Sequence, residues 1–167
     1  MGVDGFRFDA AKHIETPMDD ASFASDFWPT IVGGAETYAD EKYGKDLYIY
    51  GELLDTTGGV GLSAYTQYMA ITDNSWGNSL RKNIEADKAA LSAGYDKAAD
   101  ASVLVLWAES HDTYMTDDAY LHSGDTSLAD IQKTWALVAA RADAMGLYFA
   151  RPESLEQAIG VASVTGW

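Results

Sequence analysis

Seven polar side chains stand where the surrounding sequence reads apolar: Arg7, Asp9, Lys12, His13, Glu52, His111 and Asp112. Arg7 and Asp9 are two positions apart, so in an extended segment they point to one face. A guanidinium placed there favours the ionised form of the carboxylate. Glu52 follows Asp9 by 43 residues and precedes Asp112 by 60, spacings of about one and of one and a half to two strand–helix units. In a parallel α/β fold that arrangement gathers three carboxylates at the carboxyl ends of strands, the edge where ligands bind. Carboxylates so gathered can exchange protons with a ligand or oppose positive charge developing on it. Each residue alone has a plainer reading: Asp9 as a helix cap, Glu52 as a solvated loop carboxylate, His111 as a packing histidine. The joint occurrence at three strand ends is what weakens those readings.

The elements that must position these residues follow from apolar spacing. Val3 to Asp9 alternates, with Arg7 and Asp9 on one side and Phe6 and Phe8 on the other, as in a strand. Asp20 to Lys42 reads as a helix capped by Asp19 or Asp20, with Phe23, Phe27, Trp28, Ile31, Ala35 and Tyr38 at helical spacing. Pro29 predicts a kink or break within it, and Gly44 its end. Leu47–Tyr50, Tyr68–Ile71, Ser102–Trp107 and Gly146–Phe149 read as further strands, and about Ser79–Leu91 and Leu128–Arg141 as helices. Leu128, Ile131, Trp135 and Val138 share one face of the last helix. Turn chemistry marks loops at 55–63, 92–100 and 114–126. Five strands separated by helices predict an α/β fold with a parallel sheet and right-handed crossovers. Periodicity leaves open whether that sheet is doubly wound or most of an eight-stranded barrel.

Composition narrows the partners. The 167 residues carry 11 Lys plus Arg against 26 Asp plus Glu, a formal charge of −15, which disfavours nucleic acid and anionic lipid surfaces. The apolar share of 47% is globular and argues against disorder. There is no cysteine, so disulfides and thiolate metal sites are excluded. No apolar run approaches the roughly 18 residues of a membrane span. The first residues have neither a basic start nor an apolar core, so no signal peptide is expected. The chain opens directly on a strand-like segment, with no lead-in, and so reads as cut.

Gly5-Phe-Arg-Phe-Asp9-Ala-Ala-Lys12-His13 resembles the second conserved region of the α-amylase family of glycoside hydrolases, family 13. Gly51-Glu52 is similar to its third region, and Glu109-Ser-His111-Asp112-Thr113 to its fourth, in the same order and spacing. Gly146-Leu-Tyr-Phe-Ala-Arg151-Pro resembles the last barrel strand of bacterial α-amylases. The resemblance implies a partial (β/α)8 TIM barrel, about strands 4 to 8, with residues 1–167 as one truncated catalytic barrel. It implies a retaining hydrolase of α-1,4-glucosidic bonds acting on an α-glucan or maltooligosaccharide, with no nucleic acid or membrane partner. By the same resemblance Asp9 is the nucleophile, Glu52 the general acid/base and Asp112 the transition-state stabiliser. Arg7 keeps Asp9 ionised, and Lys12, His13 and His111 contact substrate. In that role Glu52 must start protonated, which the negative charge of Asp9 and Asp112 would favour. Some of the ten Tyr and five Trp could stack on sugar rings, although most belong in the core.

The family's first region, its first strands and its inserted small domain have no counterpart here, against a barrel of roughly 250 residues or more. Those parts supply most ligands of the family's calcium site; only the His13 backbone carbonyl remains, so calcium is implied for a parent protein rather than for this chain. A sheet so opened would have two bare edges, and the isolated chain is expected to fold poorly or associate, with little activity. Alternatives are a transglycosidase or sucrose- or oligosaccharide-acting member of the same family, or a non-catalytic carbohydrate-binding or interaction module. Retention of Asp9, Glu52 and Asp112 disfavours the last for the parent. A polymeric substrate makes a secreted bacterial parent the expectation. Gly59-Val-Gly61-Leu-Ser-Ala64 fits a dinucleotide pattern but opens no clear helix, and reads as a loop. Asp117-Asp118 lacks the spacing of a calcium loop, and His122 reads as a loop histidine.

Overall fold

The computed structural model describes residues 2–54 and 60–152. Five parallel strands, β1 (Gly5–Phe8), β2 (Tyr48–Gly51), β3 (Ala70–Thr72), β4 (Leu104–Trp107) and β5 (Met145–Leu147), lie side by side in sequence order. The sheet curls into part of an α/β barrel. The order contains no reversal, and a doubly wound sheet requires one. Residues 55–59 of the 55–63 loop, and with them the first glycine of the 59–64 pattern, lie outside the described residues.

Alternation along the strands divides the molecule into two faces. Ile49, Ile71, Leu104 and Leu106 face the helices and form the core with Trp28, Trp76 and Leu80, and Phe8 packs against it. Arg7, Tyr50, Thr72, Trp107 and Leu147, one from each strand, line the other, concave face. Arg7 is in register with Tyr50, and Trp107 with Leu147. Inner strand β4 is buried along its whole length, whereas every residue of β5 is exposed. Among the described residues the outer edges of β1 and β5 have no strand partner.

Helix α1 (Phe27–Tyr43) begins later than the spacing predicts. Pro29 accordingly sits in the first turn, where its missing N–H is not needed, and breaks nothing. Asp19 and Asp20 do not cap it. Asp19 accepts hydrogen bonds from the Thr16 amide and hydroxyl, and Asp20 one from the Ser22 amide. The buried stripe is Trp28, Val32 and Ala39, while Phe23, Ile31 and Tyr38 are exposed. Trp28 fixes the helix by standing edge-on to Phe8, at 5.1 Å between ring centres, and donating to the Ile14 carbonyl at 3.2 Å. Gly44, at φ 61°, ends the helix as the sequence suggests.

Between β2 and β3 the described residues contain one short helix, α2 (Ser63–Thr66). Helix α3 (Asn74–Glu85) starts five residues before the expected Ser79 and stops before Asp87, whose φ of 56° turns the chain; a separate 3-10 turn, Ala89–Ser92, follows. Its start is set by Asp73, fully buried, whose carboxylate accepts from the Trp76 amide and from the amides of Asp96 and Lys97. One side chain thus caps the helix and fastens the 92–100 loop. Helix α4 (His111–Met115) follows β4, and α5 (Leu128–Ala139) precedes β5. In α5 the inward face is Ile131, Thr134 and Val138, while Leu128 is exposed. No described helix is long and apolar enough to cross a membrane.

Candidate active site

The β1–β2 ladder carries the first cluster. Hydrogen bonding continues past the strands: the Glu52 amide donates to the Phe8 carbonyl at 2.9 Å, and the Ala11 amide to the Glu52 carbonyl at 3.0 Å. Glu52 is thereby drawn beside Asp9 and Ala10. Gly51 makes the approach possible. A Cβ there would lie 2.5 Å from Met69 Sδ and 2.9 Å from Ala11 Cβ, so any side chain would push β2 from its neighbours. Ala10 adopts the left-handed conformation, φ 45° and ψ 40°, at a cost of about 1 kcal/mol for a non-glycine residue. That turn aims its amide at Glu52 Oε2, 3.2 Å away. On the other side the Leu53 amide donates to Thr72 Oγ1.

Arg7 sits between the two carboxylates. Its Nη1 donates to Asp9 Oδ1 at 2.6 Å, and its Nη2 lies 3.5 Å from Glu52 Oε2. The Arg7 guanidinium, through hydrogen bond and charge, holds the Asp9 carboxyl below its ordinary range; a hydrogen bond with Glu52 and the charge of His111 add to this. The two carboxylates differ in setting. The Asp9 side chain is 74% exposed and that of Glu52 only 12%.

The second cluster belongs to the end of β4. Ser110 caps α4 reciprocally: its Oγ accepts from the Thr113 amide, and Thr113 Oγ1 accepts from the Ser110 amide. His111 and Asp112 occupy the first turn so formed, with His111 Nε2 3.4 Å from Asp112 Oδ1. A cleft of about 180 Å³ on the concave face brings Arg7, Glu52, His111 and Asp112 together. Its floor includes Trp107, which donates to Asn74 Oδ1 at 3.2 Å.

The sequence singled out three further residues that do not line this cleft. Asp9 is joined to it through Arg7 and Glu52 and feels the charge of His111. Lys12 and His13 lie on the 3-10 turn Ala11–His13 beyond β1, with His13 exposed. Among the described residues no group of three or more His, Cys, Asp or Glu is placed to hold a metal ion. The resemblance gives this chain one calcium-site oxygen, the His13 carbonyl, whereas a calcium ion takes six or more. Asp118 is occupied otherwise, accepting from the Tyr120 and Leu121 amides. His122 and Asp117 line a separate hollow of about 540 Å³ with Lys82, Glu85 and Asp125. Sequence reading missed Tyr50, Thr72, Asn74 and Trp107 as lining groups. Inward parity with Arg7 is the signal that could have found the strand residues.

No protein-family model matches the chain. It is 33% identical to an alpha-amylase of Butyrivibrio fibrisolvens over 92% of its own length, and 33% identical to an alpha-amylase of Clostridium acetobutylicum over 90%. The chain spans about a fifth of the length of these curated relatives, 18% and 19%. Over nearly all of its length, therefore, the chain is related to part of an alpha-amylase, in keeping with a parallel, curled α/β sheet.

Proposed function

We propose that this chain carries the catalytic carboxylates of a retaining glycoside hydrolase of the α-amylase family, acting on α-1,4-glucosidic bonds. Its sheet corresponds to about strands 4 to 8 of a (β/α)8 barrel, with residues 1–167 as a single partial domain. The observation that carries the reading is the Arg7 bridge, which joins Asp9 and Glu52 at the ends of adjacent strands. A retaining enzyme needs its two carboxyl groups roughly 5–5.5 Å apart, whereas an inverting one leaves room between them for water. Two carboxylates on one guanidinium favour the closer arrangement.

In this mechanism Asp9, kept anionic by Arg7, attacks the anomeric carbon. Glu52 gives its proton to the departing glycosidic oxygen as that bond breaks. Glu52, now ionised, then takes a proton from water, whose oxygen attacks the anomeric carbon and releases Asp9. Asp112 opposes the positive charge that develops on the ring in both steps, and His111 and Arg7 contact substrate with Lys12 and His13. The substrate class is an α-glucan or maltooligosaccharide. Calcium belongs in this reading to a larger parent protein rather than to this chain. The high exposure of Asp9 and its place outside the cleft lining favour a second reading, in which the isolated chain binds sugar without turning it over.

Intact-mass labelling with an activated fluoro-α-glucosyl trapping reagent tests the proposal. One adduct is expected on the chain and none on its Asp9→Asn variant. An adduct that persists in the variant overturns the assignment of the nucleophile. An unlabelled chain that still binds maltotetraose supports the second reading.

A further inference from the structure

We propose that Arg151 is a positioning residue for the end of β4, setting the direction in which His111 and Asp112 face the Arg7–Asp9–Glu52 cluster. The idea rests on the reading of Asp112 as part of the catalytic machinery. Its physical basis is one guanidinium that bonds both Glu109, just past β4, and the 123–126 loop. Arg151 Nε and Nη2 grip the Glu109 carboxylate at 2.7 and 2.9 Å. Nη2 also donates to the Ser123 carbonyl at 2.8 Å, and Nη1 to the Thr126 carbonyl at 3.1 Å. The face of the guanidinium lies over Tyr114, 5.6 Å from the ring centre.

Glu109 and Tyr114 flank Ser110–Thr113, so Arg151 holds the His111–Asp112 turn from both ends. A second path runs through Ser123. Its carbonyl accepts from Arg151, while its amide donates to the Thr113 carbonyl at 2.7 Å and its hydroxyl pairs with Thr113 Oγ1 at 3.2 Å. Arg81, itself fully buried, holds the same region from below by donating to the Ala108 and Leu121 carbonyls. The Glu109 side chain is only 2% exposed, although it borders the cleft beside His111 and Asp112. A buried ion pair is weak evidence of stability, because apolar groups of like volume often serve as well. What apolar groups cannot supply is a planar fork that fixes two carbonyls and a carboxylate at set angles.

The test measures amide hydrogen exchange and maltotetraose affinity in the wild-type chain, in Arg151→Lys and in the double variant Arg151→Met/Glu109→Leu. Lysine keeps the charge and loses the fork. It should speed exchange across residues 113–126 about tenfold and weaken maltotetraose binding about tenfold, leaving α1 unchanged. The double variant should recover the melting temperature while recovering neither loop protection nor affinity. Wild-type exchange at 113–126 in the double variant would overturn the proposal, as would an unprotected loop in the wild-type chain. If the wild-type chain binds no maltotetraose, the glucan reading fails, and the exchange data alone decide the role of Arg151.

Discussion

The carboxyl ends of β1 and β4 present the same kinds of side chain in opposite ways. After β4, His111 and Asp112 ride on a helix turn with a reciprocal cap, over the buried Glu109–Arg151 pair and the buried Arg81. After β1, Asp9 stands in solvent, held by one guanidinium and followed by a left-handed alanine. The inner strand is fixed by burial from both faces, whereas among the described residues β1 is an edge with one neighbour. A half-open sheet therefore carries a rigid cluster and a loosely held one, and any complete catalytic geometry depends on what restrains the second.

The largest expected effect comes from breaking the rigid side. A Cβ on Gly77 would lie 2.5 Å from the Trp107 carbonyl oxygen and 3.1 Å from its indole. Gly77→Ala must therefore push α3 away from β4, and we expect a loss of about 2–3 kcal/mol, as for overpacked cores. Urea unfolding measures it. Gly34→Ala, with nothing within 4 Å of the new methyl, should instead stabilise the chain by roughly 0.5–1 kcal/mol. Equal effects at the two sites would mean that α3 does not pack on β4 as described.

A smaller effect separates the two helix starts. Ser110 caps α4 through a side-chain bond, whereas Asp26 at the start of α1 makes none. Ser110→Ala should cost about 1 kcal/mol and Asp26→Ala a few tenths, again read by urea unfolding. The same contrast bears on what the sequence could reveal. The Asp9, Glu52 and Asp112 spacings announced a parallel sheet with carboxylates at its strand ends, because strand alternation and glycine stops are local signals. Spacing starts α1 too early because Phe23 falls in phase with Phe27 and Ile31, whereas the stripe that is buried is Trp28, Val32 and Ala39. Spacing starts α3 too late because Asn74, Asn78 and Arg81 are buried and polar, so an apolar pattern passes over them. Arg151 stood in plain view in a recognised segment, yet its partners lie 25 to 42 residues away, and nothing in the spacing pairs them.

The smallest effect concerns the looser cluster and is a matter of protons more than of stability. Arg7 lowers the pKa of Asp9, so the folded carboxyl stays ionised to a lower pH than the unfolded one. The stabilisation this implies is present above the unfolded pKa and is lost as pH falls through the folded value. Because Asp9 is largely exposed and screened by water, Arg7→Met should change stability by no more than about 1 kcal/mol. The titration is more informative. Carboxyl carbon NMR should move the Asp9 midpoint upward in Arg7→Met, and any acid limb of labelling should move with it. Amide exchange across 113–126 should stay as in the wild-type chain, since the β4 cluster has its own supports. A midpoint that stays put would show that Arg7 does not govern Asp9, and a loosened 113–126 loop would show that the two clusters are held as one.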